Sequence, residues 1–222
     1  MARVFIGVGH GGSDPGAVAD SVREKDLNLS IALACRDELE RHGVDVKMSR
    51  TKDENDPLGE EIRECNAYGP DLAVDIHNNA GGGDGAEVFY HYGGGKSKTL
   101  AENVLAEIVK VGQSSRGAKT RKNAAGKDYY GFIRETSCPA VIVECAFVDN
   151  ATDRQILAAE DKRRAMGVAI AKGILKSVGV AYQGERGTLY RVQVGAYLVK
   201  ENAEAMQKRI KAVGIDAFIV KE

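Results

Sequence analysis

His10 stands in Gly9-His10-Gly11-Gly12, directly behind the chain's first apolar run, Val4-Phe5-Ile6-Gly7-Val8. A second run, Leu72-Ala73-Val74-Asp75-Ile76, leads into His77-Asn78-Asn79, and a third, Ala140-Val141-Ile142-Val143, delivers Glu144. Glu24 follows the first run within the charged stretch Arg23-Glu24-Lys25-Asp26. Two imidazoles and two carboxylates are the raw material of a hydrolytic zinc centre, which takes three N/O ligands, an open position for water and a carboxylate to receive the water's proton. A carboxylate embedded in Val-Ile-Val-Glu-Cys-Ala-Phe is costly to bury while charged, and burial raises its pKa towards the range where a general base works near neutrality. The competing reading of Glu144 is a buried ion pair with an arginine such as Arg134. For the third ligand, spacing leaves Glu24, Asp14 and Asp26 in competition.

The elements that must bring these side chains together read as alternating strands and helices. Strands are expected over Val4–Val8, Val44–Ser49, Leu72–Ile76, Ala86–Tyr92, Tyr129–Ile133 and Ala140–Phe147. Helices are expected over Asp26–Arg41, Pro57–Ala67, Ser97–Gly112 and, as one long element, Asp153–Val178, with an irregular polar stretch over Arg116–Asp128. That alternation predicts an α/β fold with a mostly parallel, twisted sheet and helices on both faces. In such a sheet ligands bind beyond the carboxyl ends of the strands, where both histidines and Glu144 fall. Helical periodicity stops near Val178; residues 179–188 read as a linker, and residues 189–222 as a small βαβ module with strands at Leu189–Tyr197 and Asp216–Val220 around a helix at Glu201–Val213. Such a unit is too small to bury a core alone.

Composition narrows the function classes. The formal net charge of −1 gives no basic footprint for nucleic acid, and no run reaches the length of a membrane span. Four scattered cysteines without a CxxC pair argue against a disulfide framework and against a thiolate zinc site. Met1-Ala2-Arg3 leads straight into the first strand, which predicts synthesis in the cytoplasm without a signal peptide and action outside only after lysis or carriage.

Five blocks, in order, carry a family resemblance: Gly9-His10-Gly11-Gly12-Ser13-Asp14-Pro15-Gly16-Ala17, Arg23-Glu24-Lys25-Asp26-Leu27-Asn28-Leu29, Asp75-Ile76-His77-Asn78-Asn79-Ala80, Ile133-Arg134-Glu135-Thr136 and Pro139-Ala140-Val141-Ile142-Val143-Glu144. From Ala2 to Val178 the chain resembles the zinc-dependent N-acetylmuramoyl-L-alanine amidases of sporulation autolysins and phage endolysins. The resemblance implies zinc held by His10, Glu24 and His77, with Glu144 catalytic, and so selects Glu24 over Asp14 and Asp26. It implies hydrolysis of the amide between N-acetylmuramic acid and L-alanine in peptidoglycan, with Asn79 and Arg134 as candidate substrate contacts. The chain departs from the family pattern at Gly7-Val8, where Asp-Pro is usual, and at Glu61, where an arginine is usual; Arg63 follows two residues later. The tail, through Leu189–Tyr197, Glu201-Asn202-Ala203 and Gly214–Ala217, resembles one half of a SPOR-type peptidoglycan-binding domain, and its open edge and apolar face predict pairing with a second copy in a homodimer. Two other functions fit the same residues: a zinc peptidase cutting within the stem peptide, and a non-catalytic wall-binding protein.

Overall fold

The computed structural model describes residues 1–184 and 194–220, in two compact units, Met1–Tyr182 and Gln183–Glu222. In the first unit, in chain order, the elements are β1 (Arg3–Val8), β2 (Val18–Ala19), β3 (Val22–Arg23), α1 (Glu24–Arg41), β4 (Asp45–Met48), α2 (Leu58–Tyr68), β5 (Leu72–Asn79), β6 (Ala86–Tyr90), α3 (Lys96–Lys110), β7 (Ser115–Lys119), α4 (Gly131–Glu135), β8 (Ala140–Phe147), α5 (Ala151–Ala158) and α6 (Glu160–Ser177). Six strands form one sheet in the order β4-β1-β5-β8-β6-β7. Strands β4, β1, β5 and β8 are mutually parallel, β6 runs antiparallel to β8, and β7 is parallel to β6. The α/β, mostly parallel expectation therefore holds.

Both sheet faces are covered, so the central strands are apolar nearly throughout rather than alternating. One face carries Val4, Ile6 and Val8 of β1, Val74 and Ile76 of β5, and Val141 and Val143 of β8 into the larger core, against Ile31, Cys35 and Leu39 of α1, Val104 of α3 and Ile170 of α6. The other face carries Phe5, Ala73, Phe89 and Ile142 into a smaller core closed by Ile62 and Cys65 of α2 and Phe132 and Ile133 of α4. The site grows from the carboxyl end of this second face.

Four readings need correction. Tyr129–Ile133 is not a strand: its aromatic content suits a pleated surface, yet Gly131–Glu135 forms the short helix α4, too brief to show a helical period, with Phe132 and Ile133 buried. The polar stretch 116–128 hides most of β7, an edge strand whose charged residues suit an edge and suppress the hydrophobic signal. The long helix is two, broken at Ala159, where Arg163 Nη1 donates to the carbonyls of Leu157 and Ala158 that end α5. In the second unit a helix, α7 (Lys200–Ala212), matches expectation, but residues 215–220 form no strand. They fold back along α7, with Gln207 Nε2 donating to Ala217 O. Most of the strand expected at Leu189–Tyr197 lies outside the described residues; Val194–Tyr197 carry no strand, and the second strand of the expected βαβ module is not formed. Among the described residues no helix is long and apolar enough to cross a membrane.

Candidate metal centre

The chain leaves β1 at Val8 and turns at once. Gly9 N donates to Ile76 O at 3.1 Å, so the turn stays tied to β5. The His77 ring lies against Gly9: a Cβ there would come within 2.1 Å of the imidazole, so any larger residue would displace it. His10 follows at φ 64, in the left-handed region that non-glycine residues rarely enter. Its Nδ1 holds Asp14 Oδ2 at 2.8 Å, and a short bridge between Gly11 and Asp14 closes the loop. Beneath the loop, buried Arg50 donates to the carbonyls of Val8, Gly9 and Lys25, and Lys25 Nζ to that of Gly12.

Glu24 opens α1, one turn ahead of the residues packed on the sheet, and is 4% exposed. Oε2 faces His10 Nε2 at 3.2 Å and accepts from Ala17 N; Oε1 faces His77 Nδ1 at 3.0 Å and accepts from Asn78 N. Asn28, one turn on, donates to Gly9 O and to Glu24 Oε1, while Asn78 Nδ2 donates to Asn28 Oδ1. Burial pushes the Glu24 carboxyl up, but the two histidines overcome that and hold it well below the usual carboxylate range.

Strand β5 runs three residues further than the apolar run suggests, so His77 lies within the sheet, in register with Glu144 of β8. In the antiparallel direction Glu144 stands opposite Glu87 of β6. Glu87 is neutralised by Arg116 at 2.9 Å and Lys119 at 2.6 Å. Among the described residues Glu144 has no such partner: its Oε2 is buried without a hydrogen bond, and burial first, then the charges of Glu24 and Asp75, push its pKa to about 7 against the pull of His77. Arg134, the rival partner for Glu144, pairs with Glu135 and donates to the carbonyls of Asp128 and Tyr129, where it holds the turn leading to Tyr130 at the cleft wall. Asn79 donates to Glu87 Oε1. Both candidate substrate contacts are thus engaged within the protein.

An open cleft of about 590 Å³ lies over this constellation, with His10 and His77 on its floor and Leu58, Tyr130 and Phe132 among its apolar walls. His10, Glu24 and His77 each present a ligand atom within 4.8 Å of the others. Two imidazole nitrogens aimed at one buried carboxylate, each ring anchored through its other nitrogen, form a donor set suited to a zinc ion. Sequence reasoning overlooked Asp75, Glu87, Arg116 and Lys119. Asp75 gave the same signal as Glu144, a carboxylate inside an apolar run; Arg116 and Lys119 lay in a stretch with no periodicity.

A family model described as N-acetylmuramoyl-L-alanine amidase matches residues 4–176, and a SPOR domain model matches residues 159–221. Among curated relatives, the N-acetylmuramoyl-L-alanine amidase CwlM of Bacillus licheniformis is 36% identical over 99% of this chain and 85% of its own. Among solved structures, Cwp6 from Clostridium difficile superposes with a TM-score of 0.78 at 39% identity over 80% of this chain and 29% of its own. The catalytic domain of CwlV, an N-acetylmuramoyl-L-alanine amidase from Bacillus (Paenibacillus) polymyxa, does so with a TM-score of 0.74 at 28% identity, covering 82% of this chain and all of that domain. With the turn, the buried ligand-type glutamate and the unpaired Glu144 lying inside the matched region, the chain belongs to the N-acetylmuramoyl-L-alanine amidase family and is an enzyme of that class.

Proposed function

We propose that this chain cleaves the amide between N-acetylmuramic acid and the L-alanine of the stem peptide with one zinc ion held by His10, Glu24 and His77. The observation that carries the reading is the convergence of those three donors beside a buried Glu144 oxygen that has no hydrogen-bond partner among the described residues. Zinc, when bound, supplies a Lewis acid that polarises the scissile carbonyl and acidifies water. Glu144 takes the proton of the attacking water and passes it to the departing alanine amine; its raised pKa suits both transfers. Arg116 and Lys119 keep Glu87 neutralised, so that a second free carboxylate does not compete with Glu144 for that proton. Asn79 fixes Glu87 in place, and Arg134 fixes the turn that carries Tyr130 to the cleft. Purified peptidoglycan digested by the chain should release stem peptides with a free L-alanine amino terminus, and a chelator should stop the release. Fragments cut within the stem would make the chain a peptidase, and a full complement of uncut stems would make it a binding protein.

The SPOR match begins at Ala159 and so takes in all of α6, which packs against α1 and α3 in the first unit. The second unit therefore offers only part of a SPOR-length module, on a helix none of whose residues is buried. On that ground the tail is proposed to engage the cell wall as a pair of tails from two copies of the chain.

A further inference from the structure

The two histidines of the centre are anchored in different ways. His10 Nδ1 lies 2.8 Å from Asp14, whose side chain is 64% exposed, whereas His77 Nε2 lies 3.1 Å from Asp75, whose side chain is 3% exposed. An exposed carboxylate shares its imidazole with water; a buried one holds the ring without competition. Asp75 has only one oxygen on the ring. Its Oδ1 is buried with no hydrogen-bond partner among the described residues, and so is Oε1 of Glu61, which reaches in from α2. Both oxygens lie over Gly7: a Cβ on that residue would stand 2.0 Å from Glu61 Oε1 and 2.8 Å from Asp75 Oδ1. A side chain at position 7 would therefore separate them, and Gly7 and Glu61 are two of the positions where the sequence departs from the family pattern.

The Glu61 carboxyl group, brought in by α2, is therefore placed beside the Asp75 oxygen that the His77 ring leaves unused. Burial, then Asp75 and Asp56, raise the Glu61 carboxyl well above the usual range, in keeping with two acid groups held that close.

We propose that Asp75 is a positioning residue for His77, backed by the Glu61 carboxyl group, and that this chain of contacts turns Nδ1 of the imidazole towards the metal site. The proposal rests on the zinc reading above. A ligand histidine whose other nitrogen is held by a carboxylate keeps one tautomer and one ring orientation, and loss of such a partner lowers metal affinity about 10–100-fold.

The test uses the full chain and two readouts, zinc affinity by competition with a chelating dye and ¹⁵N–¹H spectra of the imidazoles, with His77→Ala as the control that identifies the His77 signals. Wild type is expected to show His77 protonated at Nε2. Asp75→Ala should bind zinc about 10–100-fold more weakly, and Asp75→Asn, which keeps an acceptor oxygen, should recover to within about threefold of wild type. Asp14→Asn should change affinity by less than about threefold, because water replaces its exposed carboxylate. Glu61→Gln keeps a group of the same size beside Asp75 and should match wild type, while Glu61→Ala should bind more weakly. A His77 proton on Nδ1, an Asp75→Ala chain with wild-type affinity, or an Asn variant as weak as the Ala variant would overturn the proposal; a Glu61→Ala chain with wild-type affinity would remove Glu61 from it. If Asp75→Ala shows no cooperative melting transition, the wild-type spectrum alone decides. Full zinc binding by His77→Ala would instead sink the metal assignment on which the proposal rests.

Discussion

Glu24 and Glu144 are both acids enclosed by the protein, yet their surroundings drive them in opposite directions. Two imidazoles and two backbone amides stabilise the charge on Glu24, whereas Glu144 meets burial and other acids. One is therefore suited to hold a cation and the other to hold a proton. His77→Ala is expected to lose both zinc and activity, as measured by metal content and release of stem peptides. Glu144→Gln should keep zinc and the fold while activity drops by roughly 10²–10⁴-fold, the usual contribution of a general base. The same residue predicts a stability effect in the metal-free chain. A folded pKa of about 7, raised from 4.5, means that the unfolded chain releases this proton first as pH rises, so Glu144 lowers stability increasingly between those values and fully above them. Without metal, Glu144→Gln should thus melt several degrees higher than wild type at about pH 8 and at nearly the same temperature at about pH 4.5, in paired calorimetric scans.

At the scale of elements, the centre depends on a loop whose conformation is unfavourable on its own. His10 adopts a left-handed backbone angle, and the carbonyls beside it turn inwards, where Arg50 meets them. Arg50 is 2% exposed and forms no ion pair with an acid among the described residues; its donors go to backbone carbonyls. Arg50→Met would leave several of those carbonyls buried and unsatisfied, for an expected loss of about 3–5 kcal/mol of stability in denaturant titrations. Zinc affinity should fall with it, because His10 rides on the same loop. A comparable result is not expected from Arg63→Met, since among the described residues Arg63 makes only an exposed pair with Glu60 on α2.

For the molecule as a whole, the proposed chemistry lies within Met1–Tyr182. Tyr182 belongs to that unit: its ring stacks on His42 at 5.0 Å and lies under Lys172 Nζ at 4.5 Å. A chain ending at Tyr182 should fold and cleave soluble muropeptide at close to the full rate, and one ending at Val178 should melt lower. On intact walls the shortened chain should fall behind, because a tethered wall-binding module raises the local concentration of enzyme at its substrate. Light scattering tests the pairing of tails: the full chain should run as a dimer at micromolar concentration and the Met1–Tyr182 form as a monomer, and a monomeric full chain would exclude the pairing.

The apolar runs of β1, β5 and β8, the glycine-bracketed His10, and Glu144 inside a hydrophobic strand were all legible in the order of residues, because burial on both faces writes itself as continuous hydrophobicity and a lone acid within it is conspicuous. The resemblance to the family, rather than spacing, favoured Glu24 among three neighbouring acids; in the fold Glu24 begins α1 and reaches both histidines, while Asp14 Oδ2 sits behind the His10 ring and Asp26 pairs with Arg23. The polar edge strand β7 and the one-turn helix α4 left no periodic signal, and at the break at Ala159 Arg163 folds back onto the carbonyls that end α5, an interaction that helix-forming residues on either side conceal. Nor could residue order show that Glu61 and Asp75 meet over Gly7, or that Glu87 rather than Glu144 receives the two cations. Those outcomes depend on which strands become neighbours and in which register, and they come from contacts between residues far apart along the chain.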